Sequence, residues 1–285
     1  MTPRAIINAD DFGLSPGVNR GIVGGFREGV LTSTTMLVNL RHFEDAVALA
    51  RANPDLPVGI HLSLLWGRPV SEPADVPTLV ERDGCFPRSL STLGARYFLG
   101  RLSREQVRLE FCNQVRKFLD AGLTPTHFDT HKHVHCLPGV LEALIEVAAE
   151  FGIDRVRLPL EDKLDIRSPS GPRPDWSSSA KQRLIRFLCR KSRARLQQAG
   201  IRTADHFVGI GYQACLNSDV LHLILSHLRG GVTEIMCHPG YDDESLREFS
   251  STPPYREVEL EGLKDRRVQD LVSAGTVKLT HYGDL

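Results

Sequence analysis

Residues 4–16 read Arg-Ala-Ile-Ile-Asn-Ala-Asp-Asp-Phe-Gly-Leu-Ser-Pro, and they contain a whole strand-to-helix transition. Residues 4–8 are a short apolar run behind a proline, the pattern of a buried strand. Ser15 is placed to cap a helix and Pro16 suits its first turn, so a helix is predicted to run to about residue 28, where Gly29 ends it. The same alternation recurs along the chain. Strands are predicted at 33–39, 57–63, 126–130, 155–158, 206–210, 233–237 and 277–281. Helices are predicted at 43–51, 103–121, 138–151, 218–228 and 257–273, with a basic helical segment at about 178–200. About eight strand–helix repeats imply an α/β chain with a parallel sheet covered by helices. We expect a single (β/α) barrel-like domain over residues 1–285, an irregular or incompletely closed TIM-type barrel. An open doubly wound sheet is the alternative. In both folds, chemistry belongs at the C-terminal ends of the strands.

Composition narrows the function. Of 285 residues, 35 are Lys or Arg and 35 are Asp or Glu, so the formal net charge is zero. That excludes a whole-protein basic field, and nucleic acid is not an expected partner. No stretch approaches the ~20 apolar residues of a membrane span. The N-terminus reaches Asp10 and Asp11 without room for a signal peptide, and the six scattered cysteines form no Cys-x-x-Cys pair. Reduced thiols and a cytoplasmic location are therefore expected.

Five groups of residues are candidates for chemistry. Asp10 and Asp11 stand where a buried strand gives way to a loop; neighbours on a strand face opposite ways, but a turn can bring both to one site. The plain alternative is a turn Asp beside a capping Asp. His61 is the one polar residue inside an apolar strand, Gly59-Ile60-His61-Leu62. In His127-Phe128-Asp129-Thr130-His131-Lys132-His133-Val134-His135, five titratable residues occupy alternate positions and would share one strand face. An extended strand would separate His127 from His135 by ~26 Å, so they cannot all hold one ion. His238 follows the apolar strand 233–237, where acid–base work is possible. Arg157, also at a strand end, is suited to holding a carboxylate or a substrate oxygen. Mixed imidazole and carboxylate donors suit zinc and similar ions, and more oxygen donors would favour magnesium. Without thiolates in the set, an open catalytic site is expected, that of a metal-assisted hydrolase.

The motifs 8–15 (Asn-Ala-Asp-Asp-Phe-Gly-Leu-Ser), Thr32-Ser33-Thr34-Thr35, Gly59-Ile60-His61, the histidine-rich 126–135 and Cys237-His238-Pro239-Gly240 resemble the YdjC-like carbohydrate deacetylases. That group includes chitooligosaccharide and hopanoid-associated deacetylases. The resemblance implies removal of acetyl from an N-acetylated sugar. It implies that Asp11, His61 and His131 ligate one divalent ion, with Mg2+ the first choice and Zn2+ or another first-row ion the alternative. It makes Asp10 the base, His238 the acid and Arg157 the residue that orients the base. Asp129, His133 and Trp66 are the expected substrate contacts, Trp66 either stacking on a sugar ring or anchoring its loop, and a homodimer is expected from the family.

Residues 181–195 carry seven Lys or Arg and no acidic residue, with Leu184, Ile185 and Leu188 on an apolar side. A solvated face is the simple reading, and contact with an anionic membrane surface is the functional one. The loop 66–88, with four prolines, follows the His61 strand and can cover the site. Rival functions are another metal-dependent hydrolase, such as a phosphoesterase or amidase, and a sugar- or lipid-binding module without catalysis.

Overall fold

The structure, a computed structural model, describes residues 2–162, 164, 180–212, 215–249 and 254–285. In chain order the elements are β1 (Arg4–Phe12), α1 (Pro16–Glu28), β2 (Ser33–Met36), α2 (Phe43–Arg51), β3 (Val58–Leu62), α3 (Leu90–Phe98), α4 (Arg104–Asp120) and β4 (Phe128–Thr130). There follow α5 (Pro138–Phe151), α6 (Ala180–Gln198), β5 (His206–Val208), α7 (Ser218–Ser226), β6 (Val232–Cys237), α8 (Glu244–Arg247), α9 (Pro254–Lys264), α10 (Arg266–Ser273) and β7 (Lys278–Leu279).

All named strand pairs are parallel, in the order β4-β3-β2-β1-β6-β5. Sequence neighbours are therefore spatial neighbours around a ring, which is barrel winding; a doubly wound sheet would reverse its order midway. The segment around Val156 stands in for the predicted strand 155–158. Val156 bridges Phe128, and Arg155 bridges Arg202, both parallel. Glu161 bridges Phe207 in the same sense, so the sheet curls towards closure through single bridges. β7 takes the lower half of the β1 edge, opposite Arg4 and Ala5, while β2 takes the upper half. The result is the expected incompletely closed barrel.

Local chemistry explains the ends of elements. Ser15 Oγ accepts from Val18 N, and Pro16 opens α1, as the sequence predicts. Gly152 ends α5 in the left-handed conformation. The predicted helix 257–273 is two helices. Asp265 leaves helical geometry and its carboxylate caps α10 at Arg267 N, which breaks the continuous helix. Two helices, α3 and α8, escaped the sequence reading. The segment 168–179 lies outside the described residues, as do the side chains of 180–185.

The loop 66–88 is pinned rather than free. Polar residues of α4 reach it: buried Glu110 accepts from Val70 N and Ser71 N, each at 2.9 Å, and half-buried Gln106 accepts from Thr78 N at 2.8 Å. Gln114 accepts from Ser63 N and donates to Ser63 O, fixing the exit of β3.

Candidate functional site

β1 is read as a strand through Phe12, four residues beyond the apolar run. Its register with β2 shifts between Ala9 and Phe12, and Asp11 sits at φ 74°. A non-glycine residue in that region costs of order 1–3 kcal/mol and is kept where surroundings enforce it. The bulge is the turn that the paired carboxylates required. It lets Asp10 and Asp11 face one site although they are neighbours.

The histidine stretch does not stay extended, and this corrects the expectation of five residues on one face. β4 ends at Thr130, and His131–Cys136 form a 3₁₀ turn in which Lys132 and His133 have φ of 57° and 56°. Thr130 Oγ1 accepts from His135 N and pairs with His135 Nδ1, while His135 Nε2 donates to Arg157 O. His135 is thus a brace for the turn. His127 lies towards the opposite end of the barrel, stacked on Tyr282 with ring centroids 3.7 Å apart. Its ring needs Gly59 beside it: a Cβ there would lie 2.5 Å from His127 Nδ1. This is a physical reason for glycine before the His61 strand residue.

The turn instead brings His131 beside His61. Asp11 Oδ1, His61 Nε2 and His131 Nδ1 form a triangle with edges of 3.3, 3.3 and 3.7 Å. The point equidistant from them lies about 2.0 Å from each, which fits ligand lengths of about 2.0–2.2 Å for zinc-type ions. Asp11 Oδ1 is buried without a hydrogen-bond partner, the condition of an acceptor awaiting a cation. His61 is oriented from behind: its Nδ1 donates to Asp129 Oδ1 at 2.7 Å, which leaves the Nε2 lone pair facing the triangle. The residues present therefore fit a divalent ion.

Asp129 is fully buried, with one oxygen engaged by His61 and the other by Arg157 Nη1 at 2.5 Å and Thr35 Oγ1 at 3.2 Å. Both oxygens thus face protein partners, and Asp129 orients His61 and Arg157. Arg157 is also fully buried. Its Nη1 and Nη2 donate to the two oxygens of Asp10 at 2.7 and 2.6 Å, and its Nε donates to Glu234 Oε1 at 2.8 Å. Burial alone would raise the Asp10 pKa, but the Arg157 guanidinium prevails and holds it well below the usual carboxylate range. Burial likewise opposes ionisation of Asp11, and Arg256, donating to Asp11 Oδ2 at 2.6 Å, overrides it.

His238 follows β6, with its backbone N–H donating to Glu259. Burial pushes its imidazole down to about 4, against the opposing pull of Asp10 and Asp11. Burial also lowers His131 and His133. His61 goes the other way: burial opposes its charge, but Asp129 first, then Asp10 and Asp11, raise it. His133 packs edge-on to Phe207 and takes no part in the triangle. Trp66 stands in the loop after β3 with its ring 4.9 Å from that of His131 and under Lys132 Nζ.

The sequence reading missed Arg256, Glu259, Glu234 and Tyr282. Arg256 and Glu259 lie three apart on α9, in the buried stripe with Leu260 and Leu263. Two charges inside a helix's apolar stripe were the available signal.

The family model described as YdjC-like protein matches residues 4–274. A carbohydrate deacetylase of Geobacillus stearothermophilus is 36% identical over 284 residues, covering 99% of this chain and 98% of the relative. One from Thermoanaerobacter pseudethanolicus is 33% identical, covering 98% of each chain. The crystal structure of a putative cellobiose-phosphate cleavage protein from Enterococcus faecalis superposes with a TM-score of 0.81 at 27% identity, covering 100% of this chain and 99% of that one. A lactam utilization protein from Thermus thermophilus shares the fold at a TM-score of 0.51 and 14% identity. With its motifs, its barrel and relatives that match nearly end to end, this chain belongs to the YdjC-like family.

Proposed function

We propose that the protein is a metal-dependent hydrolase that removes the N-acetyl group from an N-acetylated amino sugar and releases acetate. The observation that carries this reading is the buried Asp11–His61–His131 triangle beside an Arg157-bound Asp10. The printed names of the curated relatives support the sugar and the acetyl group.

Asp11, His61 and His131 would hold the ion; when bound, it polarises the acyl carbonyl and acidifies a water. Two imidazoles and one carboxylate favour zinc or another first-row ion over magnesium, the first choice from the resemblance. Asp10 takes the proton from the attacking water. Arg157 keeps Asp10 ionised across the neutral range and fixes its orientation, at the expense of its strength as a base. His238 enters neutral, held so by burial; the proton that Asp10 takes from the water is passed to His238 and from it to the departing amine, which returns Asp10 to its carboxylate form. Trp66, beside His131, offers a ring face for a sugar, and His133 is the second proposed substrate contact.

The acceptor is proposed to be a chitooligosaccharide or a lipid-linked N-acetylglucosamine. The lipid-linked form suits α6, where Phe187 is exposed next to Lys191, Arg186 and Arg190 and could meet an anionic membrane surface. Among the described residues, no helix is long and apolar enough to cross a membrane. We further propose one domain, a cytoplasmic location and a homodimer.

The test is acetate release from N-acetylglucosamine, chitobiose, longer chitooligosaccharides and an N-acetylglucosaminyl lipid, with magnesium, zinc, cobalt or no metal. Metal-dependent release supports the proposal; no release from any substrate by protein with bound metal rejects it. Asp10→Asn should bind metal as the wild type does and lose nearly all turnover, and retention of wild-type activity would remove Asp10 as the base.

A further inference from the structure

Two arginines are buried at this site, and they differ in one respect. Arg157 is matched by Asp10, Asp129 and Glu234, with Nε, Nη1 and Nη2 all engaged. Arg256 is 5% exposed and uses only Nη2, which donates to Asp11 Oδ2; its Nε and Nη1 are buried without a hydrogen-bond partner. Leaving a buried donor unpaired is costly, more so on a charged group, and a native protein keeps such donors where an ordered water or a ligand supplies the acceptor.

The placement of Arg256 says which ligand. Its backbone carbonyl accepts from Gly240 N at 3.2 Å, and a Cβ on Gly240 would lie 3.6 Å from its Cδ. The side chain then passes the His238–Pro239–Gly240 corner and ends on Asp11. One turn along α9, Glu259 holds His238 N, so a single helix face supports both the proposed acid and a proposed metal ligand. In the proposed reaction the acyl oxygen becomes negative as water adds to the amide carbon at the ion that Asp11 would hold, and the acetate product carries that charge away.

We propose that Arg256 is a substrate-contacting residue whose spare N–H groups bind an acyl oxyanion, first of the substrate and then of the acetate product. This deepens the deacetylase reading and rests on it for the identity of the acyl group. Arg256 also keeps Asp11 Oδ2 occupied, which leaves Oδ1 alone for the ion.

Acetate itself is the probe, because its binding needs no turnover. Zinc affinity, and acetate affinity of the zinc-loaded protein, are measured by calorimetry for the wild type, Arg256→Lys and Arg256→Gln. Lysine retains a charge for Asp11 but loses the guanidinium's additional donors. The proposal expects Arg256→Lys to bind zinc within about threefold of wild type and acetate at least about tenfold more weakly, the loss of a charge-assisted hydrogen bond. Arg256→Gln should weaken acetate as much or more. Unchanged acetate affinity in a zinc-loaded Arg256→Lys protein overturns the proposal. So does a loss of zinc that accounts for the whole effect, which would make Arg256 a positioning residue for Asp11. Failure of the deacetylase reading is seen separately, as absent acetate release from the sugar panel by a protein that still binds acetate through Arg256.

Discussion

Asp129→Asn is the substitution that tests the site's internal logic. It keeps size and shape and removes one charge. Asp129 now serves two buried sides with different oxygens: Oδ1 accepts from His61 Nδ1 at 2.7 Å, and Oδ2 pairs with Arg157 Nη1 at 2.5 Å and accepts from Thr35 Oγ1 at 3.2 Å. An amide has one oxygen and cannot accept from both. If that oxygen faces the Arg157 cation, the NH2 faces His61 Nδ1, and His61 must move its proton to Nε2. That N–H then points into the triangle where a lone pair is needed. Restoring the ligating tautomer leaves a buried donor facing a donor. Loss of such a partner behind a metal-ligating histidine costs about tenfold to hundredfold in affinity, ~1.4–2.8 kcal/mol. The assay is zinc titration against a chromophoric chelator at fixed pH, with far-ultraviolet circular dichroism to establish folding. Repeating it across pH adds a sign. The raised pKa of His61 makes zinc compete with a proton, so wild-type affinity falls as pH drops through that value, above 6.5. Without Asp129, the leading cause of the rise, the fall moves to lower pH. In the metal-free wild type, the same group stabilises the fold below 6.5 and that contribution is lost as pH rises through its folded value. A folded Asp129→Asn protein with wild-type zinc affinity and the same pH profile would refute both the ligand triangle and the role given to Asp129.

Other expectations follow from particular contacts. Gly59→Ala places a methyl 2.5 Å from His127 Nδ1 and 2.7 Å from its carbonyl oxygen, on the strand that pairs with β3. Thermal unfolding should show a loss of at least about 2 kcal/mol from overpacking, and an unchanged melting temperature would mean that the His127 ring is not held there. Glu161 accepts backbone N–H groups from Gly209, Ile210 and Gly211, yet burial raises its pKa from 4.5 to about 7. Between those values the folded chain holds a proton that the unfolded chain releases, so this group's contribution to stability falls as pH rises from 4.5 to 7. Urea melts should find the decline smaller in Glu161→Gln; an identical slope would contradict the burial effect. Trp66→Ala should raise the KM for an N-acetylated sugar by several-fold with zinc affinity unchanged, because the ring borders His131 without engaging the triangle; an unchanged KM would remove it as a sugar platform.

Much of the barrel was legible in the order of residues because apolar periodicity and capping chemistry act locally. Ser15-Pro16, Gly29 and Gly152 set helix ends within a few residues of themselves, and the strands carry runs that must be buried wherever they lie. The single long helix read at 257–273 failed at Asp265, because a capping carboxylate competed locally with helix propensity.

The sequence by itself also determined which side chains meet at the barrel rim, since Asp10, Asp11, His61, Arg157 and His238 each stand at or near a strand end. What only the tertiary structure decided is their division of labour. Alternation predicted one face for residues 127–135, but the turn after Thr130, braced by His135 against Arg157 O, sends His131 to His61 and leaves His127 stacked on Tyr282. Asp129 and Arg157 became interior partners of the site because carboxylates from three strands converge on one guanidinium, a meeting no local pattern records. Arg256 reaches Asp11 from 245 residues away. Sequence patterns encode what each segment must bury; which buried charges neutralise one another, and which donors remain for a ligand, is settled only when distant segments pack.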